Sequence, residues 1–63
     1  MIEEKILSSL SEDEFLATNK VAVKVGLNWY KVSYILEKLL EKNLVERIQL
    51  GKGIFWKKLK NEK

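Results

Sequence analysis

The sequence contains no cysteine, no histidine and no proline among its 63 residues, and only three glycines. Without cysteine and histidine, the chain cannot build a disulfide framework, a zinc ribbon or a thiol or histidine catalytic site. No nucleophile–base pair and no metal-ligand set remains, so we predict no enzyme activity, no metal and no cofactor. Because proline is absent, no predicted helix or strand is interrupted by a residue that lacks a backbone N–H.

Long apolar runs are also absent. No run approaches the roughly 20 residues that a membrane-spanning helix needs. The first residues, MIEEKILSSL, are acidic with spaced apolar positions, unlike a signal peptide. We therefore expect a cytoplasmic protein without membrane contact or small-molecule ligand. The length predicts one small domain over residues 1–59, which buries roughly 60 % of the surface of its unfolded chain. A flexible basic tail is predicted over 60–63.

Charge is distributed unevenly along the chain, although the net charge is only +3. Residues 1–14 carry one lysine against five acidic residues, whereas residues 15–63 carry eleven Lys or Arg against four glutamates. A basic body with an acidic end suggests a polyanionic partner on one side. The alternative is a solvated, lysine-rich surface. The acidic run at 12–14 is interpreted as charge at a helix N-terminus rather than as a metal site.

The N-terminal third predicts one helix and a short extended segment. Ile2, Ile6, Leu7 and Leu10 recur at helical spacing, which predicts an amphipathic helix over 2–10. The Ser-x-x-Glu pattern that begins at Ser11 is typical of a capping box. We read 11–17 as a turn that leads into a short strand at 15–17; a helical turn at 12–15 is the alternative.

Two further helices are predicted from their end signals. Thr18 is a candidate N-cap for a helix over 19–25, and Gly26 is suited to the left-handed conformation that ends it. Asn28 is a second candidate N-cap, for a helix that continues to residue 42. Its predicted buried face consists of Val32, Ile35, Leu36, Leu39 and Leu40. Asn43 is the expected end signal, since asparagine tolerates positive φ.

The C-terminal part reads as a β-hairpin. Residues 44–50 and 54–59 are rich in strand-forming residues and are joined by Gly51-Lys52-Gly53. We expect Phe55 to pack into the core, and alternation along the strand then places Trp56 on the opposite, outer face. Together with 15–17, the hairpin would form a three-stranded sheet.

The order of these elements is a helix-turn-helix followed by a hairpin. The stretch TNKVAVKVGLNWYKVSYILEKLLEKNLVERIQLGKGIFWKKL, with the Gly26 turn, the LEKLLEKNLVER junction and the glycine-bracketed hairpin, resembles the winged-helix DNA-binding family. The resemblance covers about residues 2–59 and is closest to small prokaryotic regulators, including those of archaea and their viruses. It implies an α+β fold with a three-helix core, a short first strand and a C-terminal hairpin, the wing.

The resemblance further implies a sequence-specific transcription regulator of double-stranded DNA. The recognition helix, 28–42, would lie in the major groove, and the wing, 50–54, on the backbone. Asparagine and lysine side chains can read base edges, and tyrosine hydroxyls suit phosphates. The predicted DNA-binding residues are Thr18, Lys20, Lys24, Asn28, Tyr30, Lys31, Ser33, Tyr34, Lys38, Lys52, Trp56 and Lys57. A homodimer is also implied, and a host's cytoplasm is the expected location if the protein is viral.

Several of these roles have alternatives. Tyr30 and Tyr34 would suit a protein interface equally, since tyrosine is enriched there. Lys20 and Lys24 face either phosphates or solvent, and Trp29 is expected to pack at the core rim. The second function hypothesis is accordingly a winged helix that serves as a protein-interaction module in a larger, nucleic-acid-associated assembly.

Overall fold

The computed structural model describes residues 2–59, and within them it contains three helices and three strands. In chain order the elements are α1 (Ile2–Ser9), β1 (Leu16–Ala17), α2 (Thr18–Val25), α3 (Trp29–Glu41), β2 (Val45–Leu50) and β3 (Gly53–Lys58). The predicted α+β architecture is therefore confirmed. The tail predicted at 60–63 lies outside the described residues. In the part of the chain that the structure describes, no helix is long and apolar enough to cross a membrane.

One apolar core joins the three helices to one face of the sheet. Its buried members are Ile6, Leu10, Val21, Ala22, Val25, Val32, Ile35, Leu36, Leu39, Val45 and Trp56. The helical members recur at three- and four-residue spacing, so each helix directs one apolar stripe inward. The predicted stripe of α3 is confirmed, with Leu40 only half-buried at its edge.

The turn between α2 and α3 forms as predicted. Gly26 has φ 73°, and its backbone N–H donates to the carbonyl of Ala22 at 2.9 Å. This left-handed position ends α2 and favours glycine. Two residues later, the Asn28 side-chain oxygen accepts a hydrogen bond from the Lys31 backbone N–H at 2.8 Å. Asn28 is therefore the N-cap of α3, and it fixes where that helix begins.

The C-terminal end of α3 is closed by a left-handed asparagine. Asn43 has φ 61°, and its N–H donates to the carbonyl of Leu40 at 3.0 Å. The next N–H, from Leu44, reaches back to the carbonyl of Leu39 at 3.0 Å. This pair of bonds is a Schellman motif, which satisfies carbonyls that the helix itself leaves free.

Ser11 organises the turn before β1. Its hydroxyl oxygen accepts from the backbone N–H groups of Asp13, at 2.9 Å, and Glu14, at 3.1 Å. Residues 12–14 form bends rather than a helix, so the turn and short strand are confirmed and the alternative helical turn is not formed.

The sheet is antiparallel with the order β1-β3-β2, so the last strand lies in the middle. Trp56 is directly opposite Leu16 of β1 and Arg47 of β2. Phe55 is opposite Ala17 and Ile48. Directly opposed residues share one face of a sheet, so these two sets lie on opposite faces.

The predicted facing of Phe55 and Trp56 is wrong. Trp56 is only 1 % exposed and packs against the helices, whereas Phe55 is half-buried on the other face of the sheet. The register with β1 decides this, because Leu16 packs against the core and Trp56 is its direct partner. The indole N–H of Trp56 donates to the Thr18 hydroxyl at 2.7 Å, so its polar group is satisfied inside the core.

The predicted capping role of Thr18 is also wrong. The N-cap of α2 is Ala17, which makes no side-chain cap hydrogen bond, and Thr18 is the first helical residue. This one-residue shift turns the threonine side chain inward, where it is 4 % exposed. Its hydroxyl donates to the carbonyl of Ile54 at 3.2 Å and accepts from Trp56. Thr18 thereby connects the start of α2 to β3.

Candidate nucleic-acid interface

The outward face of α3 presents two tyrosines. Tyr30 is 81 % exposed and Tyr34 is 63 % exposed, one helical turn apart. The Trp29 ring packs edge-on against Tyr30, with centroids 5.4 Å apart and planes at 89°. The Lys38 ammonium lies 5.4 Å from the Tyr34 ring centroid, within cation–π range. The two tyrosine rings are thus each contacted by a neighbouring side chain, and their hydroxyls are exposed to a partner.

Asn28 and Lys31 mark the start of this face. Both are exposed, but the side-chain oxygen of Asn28, Oδ1, already accepts a hydrogen bond from the Lys31 backbone N–H. Two-point pairing with adenine needs that oxygen as well as the amide group, and it would therefore remove the cap of α3. The Asn28 amide remains available to donate to a phosphate. Lys31 keeps its ammonium free for base edges, whereas Ser33 is half-buried at the flank of the helix.

The second half of α3 is acidic on its outward side. Glu37 and Glu41 are exposed, and Glu37 pairs with Arg47 of β2 at 3.8 Å. Arg47 was not among the predicted site residues. Arg47 is directly opposite Trp56, so the two side chains lie on the same face of the sheet. Because Trp56 was predicted on the outer face, the position of Arg47 on the helix side was missed.

The two lysines of α2 differ in their surroundings. Lys20 is exposed beside Asn19 and Val23, and Val23 is itself 76 % exposed. The Lys24 ammonium donates to the carbonyl of Ser9 at 3.2 Å. Ser9 is the last residue of α1, where a positive charge is favourable. Lys20 therefore remains a candidate for phosphate contact, whereas Lys24 has a partner within the domain.

The wing turn has two residues rather than the predicted three. Leu50 pairs with Gly53, which leaves Gly51 and Lys52 as the turn, with φ 59° at Gly51. Gly53 is already in β3, and a Cβ there would come within 3.0 Å of the Phe55 ring. Only Gly51 is thus needed for chain reversal. Lys52 is exposed at the tip.

A cleft of about 160 Å³ lies where the wing turn, the start of α2 and the start of α3 meet. Its lining residues are Ala17, Thr18, Asn19, Trp29, Lys52, Gly53 and Ile54. The cleft places Lys52 of the wing and Trp29 of α3 on one continuous surface. Trp29 is 42 % exposed, so it packs at the rim as expected and still presents part of its ring.

Three predicted contact residues do not face outward from α3 or the wing tip. Thr18, which lines the cleft from below, and Trp56 are 4 % and 1 % exposed, so both side chains are almost completely buried. Lys57 lies on the sheet face turned away from the helices, 3.8 Å from Glu46 and 4.8 Å from the Phe15 ring centroid. Residues 2–59 contain no group of three or more acidic side chains that could hold a metal ion.

Three packed helices, a helix-turn-helix whose second helix exposes two tyrosines and a lysine in its first half, and a C-terminal hairpin define a winged-helix protein. A family model described as "FaeA-like protein" matches residues 2–59, and the chain belongs to this family. Family membership agrees with the prediction that the protein is not an enzyme. Among curated proteins, none matches the chain.

Two solved structures share the fold. HlyU from Vibrio cholerae N16961, in its reduced form, superposes with a TM-score of 0.83 at 20 % identity, covering 95 % of this chain. NolR from Sinorhizobium fredii superposes with a TM-score of 0.75 at 34 % identity, covering 87 %. The chain spans 62 % of the HlyU chain and 54 % of the NolR chain. The predicted winged helix is confirmed, and an archaeal or viral source stays a prediction.

Proposed function

We propose that the protein is a transcription regulator that binds double-stranded DNA in a sequence-specific manner. The carrying observation is the first half of α3, where Tyr30, Lys31 and Tyr34 are exposed and no acidic residue intervenes. A helix about 10–12 Å in diameter fits the major groove, which is about 12 Å wide. Side chains at the start of such a helix are the ones that reach base edges.

The chemistry of each exposed side chain decides whether it would contact bases or phosphates. Lys31 can donate to guanine acceptors, and the tyrosine hydroxyls can bond to bases or phosphates. Lys20 and Lys52 flank the helix from α2 and from the wing, where they would neutralise phosphates. The two-residue wing turn brings one charge, that of Lys52, to the DNA backbone. A phosphate contact adds affinity but does not read sequence, so specificity would come from α3.

The first experiment is selection of bound duplexes from a random pool. The salt concentration is fixed at ~100 mM, because log affinity falls steeply with log salt. We expect one sequence motif to be enriched. The double variant Lys31→Ala with Tyr34→Ala should then lose about 10- to 100-fold in affinity for that motif. Lys5→Ala, on α1, is the matched control and should change little. Unchanged affinity in a folded double variant would show that α3 does not read DNA.

A second candidate function is a protein-interaction module. Glu37 and Glu41 on the outward face of α3 favour it, since carboxylates facing phosphates weaken DNA binding. This hypothesis expects that charge reversal at Lys52, Lys57 and Lys58 leaves function intact. Loss of function in that triple variant, with the fold retained, would count against it.

The proposal includes a homodimer in the cytoplasm. A shallow groove beside Ile2, which is 41 % exposed, is lined by Glu3, Glu4 and Ile35 and would adjoin such a contact. Sedimentation equilibrium should show a mass twice that of the chain, and Ile2→Lys should reduce it. A monomer at ~100 µM would contradict the dimer. It would leave the DNA proposal standing, because that proposal rests on residues of a single chain.

A further inference from the structure

The residues proposed to contact bases, Tyr30, Lys31 and Tyr34, do not line the cleft between the wing turn, α2 and α3. Its mouth is formed by side chains from three elements: Asn19 of α2, Trp29 of α3 and Lys52 of the turn. Each of these three is exposed, and Lys52 carries the only charge among the residues of 2–59 that line the cleft. A cleft with a single cation and no acid suits an anion.

The floor of the cleft is held in place by buried hydrogen bonds. The Thr18 hydroxyl donates to the Ile54 carbonyl at 3.2 Å and accepts from the Trp56 indole at 2.7 Å. These bonds fix the start of α2 against β3 directly beneath the mouth. The Trp29 wall is supported by its edge-on contact with Tyr30. The cleft is therefore formed before any ligand arrives, and binding costs little reorganisation.

The size and chemistry of the cleft indicate which part of an anion fits. Its volume is about 160 Å³, and it is open to solvent on one side. A phosphodiester group with part of the attached sugar can enter from that side. Lys52 supplies a charge-assisted bond, Asn19 an amide donor, and the Trp29 ring an apolar wall for a sugar.

We propose that this cleft binds one sugar–phosphate unit of the DNA strand that borders the groove occupied by α3. This rests on the proposed function. Lys52 and Asn19 hold the phosphate oxygens, and the indole of Trp29 packs against the deoxyribose. Trp29 is thus a backbone-binding residue that sets the register of α3 on the duplex.

The test is a scan of the selected duplex in which one phosphate at a time is replaced by an uncharged methylphosphonate. At one position, the wild-type protein should lose about tenfold in affinity, while Lys52→Gln should lose almost nothing further. Lys5→Gln, which removes a charge outside the helix-turn-helix and wing, should respond like the wild type. Trp29→Ala should weaken binding with no change in the salt slope, whereas Lys52→Gln should reduce that slope by about 0.9.

Tryptophan fluorescence gives an independent readout. Trp56 is buried and supplies a constant background, so the difference between wild type and Trp29→Phe isolates the cleft. Duplex should shift the Trp29 emission in the wild type and less so in Lys52→Gln. An equal shift with inorganic phosphate would overturn the assignment to DNA.

The two proposals fail in different ways. If the wild type binds duplex but no phosphate position couples to Lys52, the cleft proposal is wrong and the regulator stands. If no duplex is bound at all, both are wrong.

Discussion

The two halves of α3 bury the same kind of surface but expose different chemistry. Both contribute to the core stripe, through Val32 in the first half and Leu39 in the second. Outward, residues 29–34 present two tyrosines and a lysine, whereas residues 35–41 present Glu37 and Glu41 beside a single lysine, Lys38. Packing alone therefore does not distinguish the halves. The outward charge does, and it is the reason why the proposed DNA contact is assigned to the first two turns.

The largest expected effect is a charge reversal in the first half. Lys31→Glu should reduce affinity for the selected duplex about 30-fold or more, since the proposed base contact would become a repulsion beside phosphates. Lys38→Glu, the same change in the second half, should cost no more than about fivefold. Both are measured by fluorescence anisotropy at ~100 mM salt. Equal losses would mean that the halves do not differ in function.

The next comparison concerns the two asparagines that flank α3: Asn28 before its first residue and Asn43 beyond its last. Asn28→Ala removes the bond to the Lys31 N–H and should lower the free energy of unfolding by about 1 kcal/mol. Asn43→Gly retains the left-handed conformation, so the free energy of unfolding should change by less than about 0.5 kcal/mol. Urea denaturation measures both. Asn43→Val is the control that should destabilise, because a β-branched residue resists φ 61°.

Removing the acidic charge should act in the opposite direction to Lys31→Glu. Glu37→Gln together with Glu41→Gln should raise duplex affinity about three- to fivefold at low salt, through lower repulsion from phosphates. The gain should fade at ~0.5 M salt, where the Debye length is only a few ångströms. A loss of affinity would show instead that a carboxylate contacts a base, such as a cytosine amino group.

The smallest expected effect concerns the ion pair between Arg47 and Glu37. The two side chains are 36 % and 48 % exposed, and their charged atoms are 3.8 Å apart. Arg47→Gln should therefore change the free energy of unfolding by less than about 0.5 kcal/mol. Thermal unfolding of this variant beside Glu37→Gln checks the value. A loss above ~2 kcal/mol would mean that Arg47 stabilises the sheet through packing.

Local signals in the sequence predicted the helices well. Gly26, Asn28 and Asn43 each act on backbone within a few residues, so the sequence alone was sufficient to place them. The stripe of α3 was predictable for the same reason, because helical periodicity is a local property.

Strand facing could not be predicted in the same way. Residues 54–56 are three consecutive apolar residues, which contain no alternation from which a buried face can be read. Pairing with β1 determined that Trp56 is buried, and that pairing is set by residues far away in the sequence. The wrong prediction for Thr18 came from a shift of one residue in the start of α2. A threonine before an apolar pattern fits both the N-cap and the first helical position, and these differ by one residue.

The order β1-β3-β2 has a consequence for how the chain folds. The central strand is the last to be synthesised, so β1 has no partner until β3 exists. Thr18 and Trp56, which hydrogen-bond across the core, are 38 positions apart. Closing so long a loop carries an entropic cost that local helix formation cannot offset early. We therefore expect the domain to fold in one late step, because a nascent chain that ends before β3 lacks Trp56 and so has helices without a complete core.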